Sequence, residues 1–173
     1  METLDAIGGQ RVSRRFTPDP IPDDALSTIL NAARRAGSSK NLQRWAFVVV
    51  RDRETLQRMS KLGPWCGHIA GATVAIALVT PDPLTGDLPL SVMWDLGRAA
   101  QNMTLAARDL GIGSCPGTVY EQDACREILG YPADHHCEYI LSFGYPADPT
   151  DLTRPLKAGG RHDLASMVHQ ERW

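Results

Sequence analysis

The chain has 173 residues, 43% of them hydrophobic and 22% charged, and a formal net charge of −2. That is enough sequence to bury a core as one domain over residues 1–173, and the near-neutral balance gives no reason to expect a nucleic-acid or membrane partner. No apolar run approaches the length of a membrane span, residues 1–10 lack the pattern of a signal peptide, and the expected compartment is the cytoplasm.

Residues 11–16 read Arg-Val-Ser-Arg-Arg-Phe, and Pro18, Pro20 and Pro22 follow at alternate positions. Proline biases the residue before it to extended geometry, so the segment is expected to be non-helical. In an extended chain Arg11, Ser13 and Arg15 project to one side, where guanidinium groups and a hydroxyl suit a phosphate. The same residues also suit a solvated basic stretch, the commoner fate of such clusters.

A helix is expected over residues 22–36, where Leu26, Ile29, Leu30 and Ala33 form an i, i+3, i+4, i+7 stripe. Pro22 suits its first turn, Asp23 and Asp24 its dipole, and Gly37 its exit. The loop that follows, Ser38-Ser39-Lys40-Asn41-Leu42-Gln43-Arg44-Trp45, is dense in donors and acceptors. Amides of Asn41 and Gln43 would suit the edge of a ring with alternating carbonyl and N–H groups. A polar turn capped by serines explains the same residues.

Residues 46–50 form a continuous apolar run and predict a buried strand. A surface helix is expected over 53–62, a second buried strand over 73–79, and a proline-rich loop over 81–89. Residues 91–110 predict the longest helix, stopped by Gly111. It is apolar nearly all round, with small residues at Gly97, Ala99, Ala100, Ala106 and Ala107. Such a helix must be covered on nearly every face. It is either the central core helix of a monomer or a helix partly covered by a second subunit, and the pattern does not decide between them. A short strand near 112–115, a helix near 121–129, a strand over 138–143 and an extended arm from Gly144 complete the outline. Mixed strands and helices give an α/β or α+β domain without repeats.

Cys66, Cys115, Cys125 and Cys137 are far apart and form no C-x-x-C pair, so neither a zinc site nor a disulfide framework is expected. His135 and His136 are adjacent, and neighbouring residues of a strand point apart, which makes a poor chelate.

Taken in order, these segments resemble the nitroreductase family. Residues 11–16 resemble its R-x-S-x-[RK]-x-F motif, and residues 37–45 its P-S-x-x-N-x-Q-P-W loop. Residues 95–103 and 110–115 resemble its central helix and following strand, and residues 167–173 its V-H-x-E-R-W ending. The resemblance implies an α+β three-layer sandwich: a central, mostly antiparallel sheet with helices on both faces and a C-terminal arm swapped in a homodimer. It implies FMN at the interface, with Arg11, Val12, Ser13, Arg15 and Arg161 at the phosphate. Ser38, Ser39, Asn41 and Gln43 would lie at the flavin, some from the partner, with Pro116, Gly117 and Thr118 near its N5 edge. NADH or NADPH would deliver hydride, and a small-molecule acceptor such as a nitroaromatic or quinone would take it. No side chain is assigned as acid or base, because the flavin carries the chemistry. The alternative is a protein of the same fold that binds flavin or deazaflavin without NAD(P)H turnover. Four departures from the pattern stand out: Gly37 and Arg44 replace prolines, Gly159 stands where a lysine often assists Arg161, and Pro116-Gly117-Thr118-Val119 replaces W-x-G-G.

Overall fold

The computed structural model describes residues 2–84, 90–155 and 160–173. Gly159 and most of the 81–89 loop lie outside the described residues.

The first element is a helix that the sequence pattern does not announce, α1 (Thr3–Gly9), and none of its residues is buried. Residues 11–17 then run extended as expected. Ser13 N donates to the Ser114 carbonyl, Thr17 N to Tyr145, and Ala147 N to Arg15. Helix α2 (Asp23–Arg34) starts from Pro22 as its N-cap, with both aspartates in the first turn. Gly37 does not close it, since the positive-φ glycines among the described residues are Gly111 and Gly130. Instead, a Cβ at position 37 would stand 2.5 Å from Nη2 of Arg98, so the glycine makes room for a guanidinium.

Among the described residues, strand β1 (Ala46–Val50) pairs only with β2 (Val74–Pro81) and lies at the sheet edge. Its burial is therefore mixed rather than complete, and Val49 remains exposed. The apolar run reads as central because it carries no polar alternation. Helix α3 (Arg53–Met59) is capped by Asp52, whose carboxylate accepts from both N and Oγ1 of Thr55. Those bonds hold the Asp52 carboxyl below its usual range. A short 3-10 turn, Gly67–Gly71, precedes β2.

Helix α4 (Ser91–Asp109) ends where Gly111 takes φ +72°, followed by β3 (Gly113–Thr118). Helix α5 (Gln122–Leu129) ends at Gly130, φ +71°, which satisfies the left-handed C-terminal position that glycine tolerates best. Strand β4 (His135–Gly144) is three residues longer at its start than expected. There His135 and His136 turn to different acidic neighbours, Asp134 and Glu138.

The sheet order is β1-β2-β4-β3, with every neighbouring pair antiparallel. Side-chain alternation splits the core into two layers. Ile76, Leu78, Leu141 and Phe143 pack under α2 and α4, against Leu26, Ile29, Leu96 and Met103. Ala75, Ala77, Val79 and Ile140 pack under α3 and α5, against Leu56, Met59 and Cys125. This is the expected α+β three-layer sandwich. Phe143 has no exposed surface, and Phe143→Ala is expected to cost about 3–5 kcal/mol of stability, read by chemical denaturation.

Residues 145–155 lie back along the N-terminal segment, but residues 160–173 are exposed throughout. Among the described residues, no helix is long and apolar enough to cross a membrane.

Candidate functional site

The site forms where β3 and β4 meet α4. The register pairs Ser114 with Phe143, Pro116 with Leu141 and Thr118 with Tyr139, which turns all six toward the α4 face. Cys115 and Gly117 face the opposite way. On α4, Gly97, Ala100, Gln101 and Thr104 follow i, i+3, i+4, i+7 and present one stripe to the same space.

The cleft has two lobes that share Gly97, Ala100, Pro116 and Leu141. The larger, about 540 Å³, is bounded by α1, Gln10, Arg11, Val12, Thr104, Ser114 and Arg161. The smaller, about 230 Å³, is lined by Leu78, Met93, Leu96 and Tyr139 and is almost wholly apolar. One end is therefore cationic and rich in polar groups, while the other is greasy. A Cβ at Gly97 would meet no heavy atom within 4 Å, so the shared wall is open space.

A network builds the polar end. Nε2 of Gln101 donates to Oε1 of Gln10, whose Nε2 donates to Oγ1 of Thr104. Nε of Arg11 donates to the Arg154 carbonyl, and Nη1 to the carbonyls of Gly8 and Gln10. Nη2 of Arg154 returns a bond to the Val12 carbonyl. The Arg11 guanidinium is thus fixed by three carbonyls, with no partner for its Nη2 among the described residues.

Arg11, Ser13 and Arg15 have different surroundings in the single chain. Ser13 is fully buried against Gly113, its Oγ without a partner among the described residues, and Arg15 is exposed beside Asp148. Of the predicted phosphate residues, Arg11, Val12 and Arg161 line the cleft.

The loop of residues 38–43 sits on the other flank of α4. Ser39 N donates to Oδ2 of buried Asp95 at 2.8 Å, and Asp95 is about 200° around the helix from Gly97. Within the loop, Oγ of Ser38 accepts from Gln43 N, and Nε2 of Gln43 reaches Oδ1 of Asn41. Lys40, Asn41 and Gln43 take φ of +52°, +55° and +49°. Each non-glycine residue there costs about 1–2 kcal/mol, less for asparagine, so Asp95 and Ser38 hold a strained turn in place. Ser38, Ser39, Asn41 and Gln43 do not line the cleft of their own chain.

Pro116 lines the cleft and Thr118 shares its sheet face without lining it, whereas Gly117 faces backwards. A Cβ on Gly117 would lie 3.1 Å from Sγ of Cys66 and 3.3 Å from both its Cα and Nε2 of His68. Gly117→Ala is expected to cost about 1–3 kcal/mol by overpacking, measured by urea denaturation. Gln10, Gln101, Thr104, Tyr139 and Arg154 also belong to the site. The α4 stripe would have found Gln101 and Thr104, but Tyr139 and Arg154 carry no comparable signal.

A family model described as the nitroreductase family matches residues 7–68 and 68–145. The chain is 37% identical over 178 positions to an Archaeoglobus fulgidus protein named as a candidate NADH dehydrogenase/NAD(P)H nitroreductase, with 99% of each chain covered. A Methanothermobacter thermautotrophicus protein of the same name is 30% identical over 180 positions, covering 100% of this chain and 88% of that one. The solved structure of an FMN-dependent nitroreductase from Clostridium difficile superposes with a TM-score of 0.83 at 24% identity, over 99% of this chain and 100% of that chain, which speaks to the fold alone. The chain belongs to the nitroreductase family.

Proposed function

We propose that the protein is an NAD(P)H-dependent FMN oxidoreductase, active as a cytoplasmic homodimer, that reduces small acceptors such as nitroaromatics or quinones. The observation that carries this reading is the polarised cleft. Arg11 and Arg161 suit a phosphate, the Gln10–Gln101–Thr104 network suits a ribityl chain, and Pro116, Leu141 and Tyr139 suit a flat ring. Ser13 and Arg15 lie outside the lining of the cleft in the single chain. Bound there, FMN would supply the centre that accepts hydride from the nucleotide. The protein's part would be placement and charge: the guanidinium groups would hold the phosphate, and the apolar lobe would keep water from one face of the ring. Nucleotide and acceptor would use the open side of the cleft in turn, a ping-pong order.

The dimer rests on surfaces that a single chain leaves uncovered. Helix α4 buries Leu96, Ala99, Met103 and Ala107 but exposes Trp94 by 71%, and α1 exposes Leu4 and Ile7. The arm exposes Leu164, Met167, Val168 and Trp173, while β1 leaves an apolar edge unpaired. Exposed apolar residues on several elements support an interface there. A second copy would also bring its 38–43 loop to a cleft that the chain's own loop does not line. Four buried free cysteines agree with a reducing compartment.

Anaerobic addition of NADH or NADPH to the flavin-loaded protein tests the enzyme reading, with bleaching of the flavin band expected. Bound flavin that neither nucleotide bleaches would instead make this a flavin- or deazaflavin-binding protein without turnover.

A further inference from the structure

Behind the cleft floor, on the sheet face away from α4, lies a polar cluster that the cleft itself does not use. Nδ1 of His68, in the turn of residues 67–71, is 2.7 Å from Oγ of Ser142 on β4. Ser142 is fully buried, and its Oγ donates to the Cys115 carbonyl on β3 at 3.3 Å. A hydroxyl has one hydrogen. If it serves Cys115, the imidazole must donate from Nδ1. Farther along β3, Sγ of Cys66 donates to the Thr118 carbonyl at 3.2 Å. The backbone of residues 115–118 is thus held from behind at both ends.

That stretch needs holding. Pro116 has no N–H to give the ladder, and Gly117 is the residue least restricted in backbone conformation. Pro116 sits where the floor meets the apolar lobe, and Cys66 and His68 pack directly against Gly117 beside it. Burial is the main cause that holds His68 below its ordinary pKa, and the nearby Arg14 adds to it, although the Pro116 and Trp65 carbonyls act the other way. The other titratable groups at the cluster, Cys66 and Cys115, are both shifted upward by burial, Cys66 to about 11. Apart from the Arg14 guanidinium, which hydrogen-bonds Cys115, the cluster is a set of neutral hydrogen-bonding groups.

We propose that His68, acting through Ser142, is a positioning residue that fixes the Cys115–Thr118 backbone as the floor against which the flavin ring seats. It touches neither flavin nor substrate. The flavin part rests on the function proposed above, and the backbone part does not.

The experiment compares His68→Asn, whose amide can donate near the Nδ1 position, with His68→Leu, which cannot. In FMN-loaded protein, His68→Leu is expected to raise the FMN dissociation constant about three- to tenfold, the loss of one hydrogen-bonded anchor, and to shift the flavin's visible band. His68→Asn is expected to stay within about twofold of the unsubstituted protein, well inside the effect of one hydrogen bond. In flavin-free protein, amide exchange at Gly117 and Thr118 should quicken in His68→Leu and not in His68→Asn, and imidazole ¹⁵N shifts should report the Nδ1–H tautomer. Equal behaviour of the two variants, or an Nε2–H tautomer, overturns the proposal. If His68→Leu does not fold, Ser142→Ala replaces it, with the same expected exchange at Gly117 and Thr118. If the unsubstituted protein takes up no FMN, the proposed function fails, and the exchange and tautomer measurements still decide whether His68 holds the strand.

Discussion

Replacing Arg11 by alanine is expected to weaken FMN binding by about 10- to 150-fold, since hydrogen bonds to a charged group contribute about 1.5–3 kcal/mol and each 1.4 kcal/mol is a factor of ten. The large value follows from how the side chain is held. Three backbone carbonyls, of Gly8, Gln10 and Arg154, fix its Nε and Nη1, so little side-chain freedom remains to be lost on binding. Arg11→Lys should recover only part of the affinity, because an ammonium is a point charge without the planar fork. Fluorescence titration with FMN reads both variants. A dissociation constant for Arg11→Ala within twofold of the unsubstituted protein would remove Arg11 from the phosphate site.

Gly97→Phe is expected to leave the protein folded and abolish FMN uptake. Gly97 stands mid-helix on the open side of α4, and a Cβ there would have no heavy atom within 4 Å. A glycine there costs about 0.5–1 kcal/mol relative to alanine, so a larger residue does not strain the single chain. A phenyl ring would instead project from the wall that both lobes share. Circular dichroism and thermal unfolding report the fold, and absorbance after incubation with FMN reports the site. A folded Gly97→Phe protein that still turns yellow would mean that the flavin lies elsewhere.

Much of the layering can be read from the chain. The stripe of Leu26, Ile29 and Ala33 and the runs at 46–50 and 73–79 correspond to α2, β1 and β2, because periodicity reports which side of an element meets a core. It does not report what lies beyond the element. The apolar run of β1 looks central yet forms an edge, and the exposed side of α4 carries Trp94 as if covered. Helix α1 escapes such a reading because seven residues with Leu4 and Ile7 alone give no stripe to count. Gly37 looks like a helix stop, and only the structure reveals Arg98 packed against it.

The site is legible in the same partial way. Arg11 and Arg161 do reach one cleft, whereas Arg15 is exposed outside its lining, and a burial that no motif records encloses Ser13. The 38–43 loop is a built, strained turn, and Asp95 ties it to the far side of the helix. Its residues do not line the cleft that Arg11 lines within one chain. The resemblance implies that they meet it across two chains, and the uncovered surfaces support that geometry.

The most direct test is an FMN titration of purified protein followed by light scattering on the same sample. The expected result is twice the chain mass with one FMN bound per chain. A monomer that binds FMN with undiminished affinity would contradict the interface, and a dimer that binds none would contradict the cofactor.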